Sequence, residues 1–136
     1  MNDGALRALE FDRIVEAVRS FALTPLGAAA LGDLHPLSEA RAVRTALAAT
    51  TEGVKYLEAN TPFALEGPDD LEQIVTALAI EGRPLEAPQL VGLANFLASV
   101  DAVRTAVKEA TGGPFPALRT VVDGARSFQR EVADIR

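Results

Sequence analysis

The chain has 136 residues with 13 Lys+Arg against 19 Asp+Glu, a net charge of −6; at 14.3 kDa it holds one core rather than two. A hydrophobic fraction of 49% with 24% charged residues excludes a disordered tail and a membrane-type composition. The absence of Cys excludes disulfides, thiolate nucleophiles and Cys-based zinc or iron–sulfur sites, and the single His35 excludes paired-His metal sites.

Eight prolines, at 25, 36, 62, 68, 84, 88, 114 and 116, divide the chain into stretches where helices can run. Met1-Asn2-Asp3-Gly4 reads as a genuine start, acidic and without a signal peptide's basic and apolar regions, with Asn2 and Asp3 as caps. Leu6 to Leu23 predicts one helix with Phe11, Ile14, Val15, Val18 and Ala22 on its apolar face. Thr24-Pro25 predicts a restart, Thr as N-cap and Pro in the first turn, for a short helix reaching about Leu34. His35-Pro36 interrupts it. Ser38 is then expected to cap a helix running to about Asn60, where Val43, Leu47, Thr50, Val54 and Leu57 are spaced 4, 3, 4, 3. That heptad spacing asks for a long antiparallel or coiled-coil-like partner. A loop over 61–68 leads to Asp69-Asp70, whose charge suits the start of a fourth helix with Leu71, Ile74, Val75 and Leu78 as its stripe. Gly82-Arg83-Pro84 ends it. The fifth helix is expected from Ala87 to Thr111, with Leu93, Phe96, Leu97, Val100, Val103 and Val107 on one side, stopped by Gly112-Gly113-Pro114. A last helix or helix pair fills 116–136. No segment alternates with period two, so the expected class is all-α, a bundle of about six helices forming a single domain over 1–136.

The acidity is local. Residues 58–103 carry eight acids and one base, Arg83, whereas 104–136 carry four acids and six bases. Nucleic-acid contact is therefore sought in the last third, with Arg119, Arg126 and Arg130 as candidates and Arg126 and Arg130 at i, i+4. Arg41 and Arg44 form a second basic group. A solvated face with local ion pairs, for instance of Arg130 with Asp134 or Glu131, is the commoner role of such residues. Phe11, Phe21, Phe96 and Phe128 lie at core-like spacing and make no base-stacking platform. His35 has Asp33 nearby but no partnered nucleophile, and reads as a turn histidine. No G-x-x-x-x-G-K-[ST] phosphate loop occurs, and acid pairs such as Asp69/Asp70 and Glu10/Asp12 read as helix-start and solvent-face residues. No catalytic, cofactor-binding or metal-ligating residue is assigned.

One series of motifs carries more information. Leu9-Glu10-Phe11-Asp12-Arg13-Ile14 resembles the opening of the type-two MutS family, bacterial mismatch-repair-like proteins that begin Leu-Glu-Phe-Asp-[Lys/Arg]-Ile. The resemblance continues in order through Thr24, Leu26 and Gly27, then Leu34 and Pro36, Thr51-Glu52, Gly67 with Asp70-Leu71, and Gly82 with Leu85 and Leu90. Pro68 departs from it, standing where the family more often has an aliphatic residue. The signature residues Leu9, Glu10, Phe11, Asp12, Ile14, Gly27 and Pro36 are expected to be structural.

The resemblance implies the N-terminal helical core and lever region of a longer protein, non-catalytic by itself. The family's parent proteins carry an ATPase needing ATP and Mg, a coiled-coil clamp and an endonuclease domain. They are associated with suppressing recombination on branched DNA and with rescue of stalled ribosomes. The implied partners are the remaining domains of the parent, a second copy in a homodimer, and DNA or the ribosome. The last residues, 129–136, lie inside a helix-compatible pattern, which fits a fragment. Its longest apolar runs fall short of the roughly 20 residues of a membrane span, so the expected location is cytoplasmic with no membrane partner. A stand-alone helical adaptor that binds a protein partner is the other reading.

Overall fold

Eight helices account for the regular structure of residues 3–136, the part that a computed structural model of the chain describes. They are α1 Asp3–Ala8, α2 Phe11–Arg19, α3 Pro25–Gly32, α4 Ala40–Ala59, α5 Leu71–Leu78, α6 Ala87–Lys108, α7 Pro116–Asp123 and α8 Gln129–Ile135. The class is all-α, with no strand among the described residues. The count exceeds six because the expected first helix divides at Leu9-Glu10 and the last segment is a pair. Asn2 as a cap lies outside the described residues, and Asp3 stands in the first turn of α1.

Local chemistry sets most of the boundaries. Thr24 Oγ1 accepts from the Gly27 amide at 3.1 Å, with Pro25 opening α3. The cap of α4 is Glu39 rather than Ser38: its two carboxylate oxygens each accept at 2.8 Å, one from Arg41 N–H and one from Ala42 N–H. A carboxylate can serve two orphan amides where a hydroxyl serves one, and it adds negative charge at the positive end of the dipole. A capping box between Glu86 and Gln89 opens α6.

Long helix α6 is the spine, packing against α5, α7 and α8. By length and composition it could cross a membrane, yet it carries Asp101, Arg104 and Lys108 and lies among these three helices. Around its C-terminal half Tyr56, Val107, Phe115 and Val122 form a buried cluster, with Phe63, Val103, Ala110 and Leu118 against it. The Tyr56 ring lies 4.8 Å from Phe63 and 5.3 Å from Phe115, centroid to centroid. Towards its N-terminal half, Leu93 and Ala94 are buried, as are Leu71, Ile74 and Ala77 of α5. Among the described residues, helices α1 and α2 reach the other helices only through α3, which touches α5.

Polar side chains on the long helices fasten the shorter pieces. Glu52 of α4 accepts from the amides of Ala117 at 3.0 Å and Leu118 at 2.7 Å, capping α7 from a distance of 65 residues in sequence. Asp101 of α6 accepts from Phe128 N–H at 2.9 Å at the start of α8 and from Arg104 Nη1 at 2.9 Å. Ser99 Oγ lies within hydrogen-bonding distance of both the amide and the carbonyl of Glu66, at 3.2 and 3.1 Å, pinning the 61–68 loop to α6. Asn60 joins the ends of α4 and α6, accepting from Thr111 N–H at 3.0 Å and donating to Thr111 O at 2.9 Å. Gly112 makes that junction possible: its φ is +82°, and a Cβ there would lie 2.7 Å from Ala59 Cβ. Pro68, the departure from the family pattern, sits over Gly92 of α6, where a Cβ would lie 3.0 Å from the proline ring. The ring and the missing side chain compensate each other.

Several faces expected to be covered are open. On α4 the buried residue is Tyr56, while Leu47, Val54 and Leu57 of the heptad stripe are exposed. Phe21, expected in the core, is 82% exposed, and Ile14 and Val18 beside it are exposed as well. On α5 the packed face is Leu71, Ile74 and Ala77, leaving Val75 and Leu78 in solvent. The total accessible surface is 9690 Å², against roughly 6,800 Å² for a folded monomer of this mass on the usual scaling. The apolar faces are more numerous than the chain's own elements can cover.

Replacing Glu52 by Ala should leave two amides of α7 without an acceptor and lower unfolding free energy by about 1–3 kcal/mol. Urea titration would measure this, with Glu58→Ala, an exposed carboxylate on the same helix, changing stability by less than about 0.5 kcal/mol.

Candidate functional site

Leu9 to Ile14, the most specific of the family-like residues, form one helix-to-helix corner, while the others are spread along the chain. Leu9 N–H donates to Ala5 O and Glu10 N–H to Arg7 O, closing α1. Glu10 then adopts φ 51°, ψ 41° and its carbonyl accepts from Arg13 and Ile14, so the same residue begins α2. A non-glycine residue in the left-handed region costs of order 1 kcal/mol, and this one reverses the chain between two helices without a loop. Its carboxylate lies 3.2 Å from Arg13 Nη1, an exposed pair that contributes little to stability. The helix–helix corner and the end of α3 enclose an open cleft of about 660 Å³ lined by Leu6, Arg7, Glu10 to Arg13, Val15, Gly32, Leu34 and His35.

Phe11 is half-buried in this corner, whereas Leu9, Asp12 and Ile14 face solvent. Gly27 and Pro36 are half-buried further along, Gly27 under the Thr24 cap. The cleft holds acids, arginines and one histidine, but no hydroxyl or thiol nucleophile. His35 is exposed and makes no hydrogen bond to Asp33 among the described residues. No group of three or more His, Asp or Glu among them is placed to hold a metal ion. The arrangement builds a shaped helical corner.

The three basic candidates do not form one patch on one helix. Arg119 lies on α7, with Nε 3.6 Å from Asp123 Oδ2. Arg126 precedes α8 and so does not share a helical face with Arg130; its Nη2 is 2.8 Å from Glu131 Oε1 and its guanidinium stacks 5.3 Å from the Phe128 ring centroid. Glu131 is thus the partner of Arg126, not of Arg130, and Arg130 is in no ion pair among the described residues.

A second concavity has no local sequence signature. Leu78, Leu85, Leu90, Leu93, Leu97, Phe128 and Ile135 line an apolar groove of about 490 Å³ between the end of α5, α6 and α8, with Arg126, Glu131 and Asp134 among its walls. Its residues were visible singly as helix stripes. What brings them together is the Asp101–Phe128 hydrogen bond, which sets α8 against α6.

Substituting Glu10 by Gly should relieve the left-handed backbone and raise stability by about 0.5–1 kcal/mol, while Glu10→Val should lower it by more than about 1 kcal/mol. Thermal melts of the two variants, read against the parent, would check the opposite signs.

The chain carries similarity to known proteins. The chain is 35% identical over 100 residues, 72% of its length, to the Endonuclease MutS2 of Clostridium perfringens strain 13. It is 30% identical over 97 residues, 71% of its length, to the Endonuclease MutS2 of Clostridium beijerinckii. The matched stretch is 12% of each of these relatives. No family model matches the chain, and no solved structure matches it significantly. About seventy per cent of the chain is therefore a MutS2-related region, spanning about an eighth of the length of those relatives.

Proposed function

We propose that this chain is a non-catalytic helical core element of a MutS2-like protein, one that supports the parent's ATPase and endonuclease activities from outside their active sites. The similarity to two Endonuclease MutS2 proteins over some seventy per cent of the chain carries this reading. The exposed Phe21, Leu47, Leu57 and Leu78 support it physically, because uncovered apolar side chains suit an element that packs against further polypeptide.

In this reading the parent acts on branched DNA to suppress recombination, or on stalled ribosomes, in the cytoplasm. The present helices would couple its ATPase dimer to its clamp. ATP and Mg belong to other parts of the parent. In support, no phosphate loop occurs in this sequence, and Glu39, Glu52 and Asp101 are engaged with backbone amides. Arg119, Arg126 and Arg130 stand as the proposed nucleic-acid contacts, with Arg130 the one whose charge is not engaged by a carboxylate among the described residues. The second reading, a stand-alone adaptor, draws support from the leucine-lined groove between α6 and α8.

Two measurements test these readings. The purified chain should neither hydrolyse ATP nor cleave branched DNA; clear turnover in either assay would sink the non-catalytic reading. The reading frame beyond codon 136 should encode a phosphate-loop motif, whereas a stop codon there favours the adaptor. For the basic residues, Arg130→Glu should weaken binding to a branched duplex and flatten its salt dependence by about one unit in log–log slope. No binding at low ionic strength would remove that contact.

A further inference from the structure

Where α6 gives way to α7 the chain folds a small hollow of about 230 Å³. Its most buried lining residues are Val107 and Phe115, 4% and 7% exposed, with Gly113 and Pro114 beside them. Lys108, in the last turn of α6, and Arg119, the fourth residue of α7, complete the lining. No carboxylate takes part in it. The two larger concavities are charge-balanced by comparison. Glu10 and Asp12 stand with Arg7 and Arg13 in the corner cleft, and Glu131 and Asp134 with Arg126 in the leucine-lined groove. In a chain of net charge −6, a recess with two cations and no acid is a local reversal of the overall field.

Arg119 stands in the turn of α7 where the helix dipole favours negative charge, so local helix chemistry does not call for it. Its carboxylate neighbour, Asp123 at 3.6 Å, forms an exposed pair of the kind that contributes little. Lys108 makes no ion pair or side-chain hydrogen bond among the described residues, and the Gly113 N–H has no acceptor among them. Bonds made elsewhere hold the hollow in shape. Asn60 fixes Thr111 just before it, and Glu52 fixes the amides of Ala117 and Leu118 just after it. The donors are therefore placed before a ligand arrives, which lowers the ordering cost of binding.

At about 230 Å³ the hollow lies below the roughly 300–1,000 Å³ of sites that enclose a whole small molecule. It suits one anionic group of a longer ligand. Phe115 is buried against Tyr56 and offers no open ring face for a base to stack on, so a nucleic acid is met here at its backbone. We propose that Lys108 and Arg119 seat one backbone phosphate of a nucleic-acid strand in this hollow, with the Gly113 N–H donating a third contact. Contact of that kind positions a strand without reading its sequence. The proposal rests on the reading of Arg119 as a nucleic-acid contact and adds Lys108, which belongs to none of the basic groups visible in the sequence. Eleven positions separate the two cations, and the turn between α6 and α7 brings them to one recess.

Two titrations of the full 136-residue chain test it. In the first, followed by heteronuclear NMR, inorganic phosphate should shift the Gly113 amide resonance of the parent but not that of Lys108→Gln/Arg119→Gln. In the second, followed by fluorescence anisotropy, a labelled DNA single strand and an abasic strand of equal length should bind alike. Lys108→Gln should weaken both about two- to fivefold and flatten the log–log salt slope by about 0.7. Lys55→Gln, an exposed lysine on α4, should do neither, and far-ultraviolet circular dichroism should be unchanged in every variant. A Gly113 amide indifferent to phosphate overturns the site, as does an equal loss in Lys55→Gln. Strand binding that survives Lys108→Gln but is lost in Arg130→Glu overturns this proposal and spares the wider nucleic-acid reading. A phosphate response without strand binding overturns both.

Discussion

Short helices need an acceptor for their first amides, and in this molecule the acceptor comes from somewhere else. Helices α7 and α8 are eight and seven residues long and have no side-chain cap of their own. At α7 the first free amides are held by Glu52 from α4, and at α8 Asp101 from α6 accepts from the amide of Phe128, the residue that precedes the helix. A helix of two turns is unstable alone in water, so these carboxylates do more than decorate its end. Each converts a local deficit into a long-range connection. Through Glu52 the peripheral helix α4 is tied to the core, and Tyr56, one turn further along, is brought between Phe63 and Phe115. Through Asp101 the last helix is laid along α6, which creates the leucine-lined groove.

The resulting architecture has a firm middle and loosely covered edges. The aromatic cluster at the C-terminal half of α6 and the α5–α6 contact are buried, whereas the turn after α2, the outer side of α4 and the outer side of α5 present Phe21, Leu47 and Leu78 to water. A surface some 40% above the expectation for a monomer of this mass follows from that arrangement. Acidic residues fill the middle of the sequence without closing those faces. Phe21, Leu47, Leu57 and Leu78 remain uncovered by the chain's own elements among the described residues.

The motif Leu9 to Ile14 is explained by geometry rather than by chemistry. Leu9 to Ile14 makes an immediate helix-to-helix reversal, with Glu10 holding a left-handed backbone and Phe11 wedged at the corner. No nucleophile or metal cluster stands beside it among the described residues. The motif's value lies in fixing the angle at which α1 and α2 leave the turn, and so the shape of the cleft against α3.

The sequence by itself determined what depends on neighbours a few residues apart. Proline spacing, the Thr24 cap and the Gly112 stop marked the helices, because each acts within one turn of the backbone. The class was legible for the same reason, as was the absence of a phosphate loop. The division at Glu10 was missed, since a left-handed glutamate has no composition signal and an apolar stripe continues across it. Only the tertiary structure decided which face of each helix is buried. Along α4 both Tyr56 and the heptad stripe were apolar enough to turn inward, and the choice fell to residues sixty positions away whose amides needed Glu52. Capping of α7 and α8 was undecidable locally for the same reason: an acceptor's sequence position says nothing of which helix end it will meet. Burial is a property of pairs of surfaces, and the chain supplies those pairs only once it has folded.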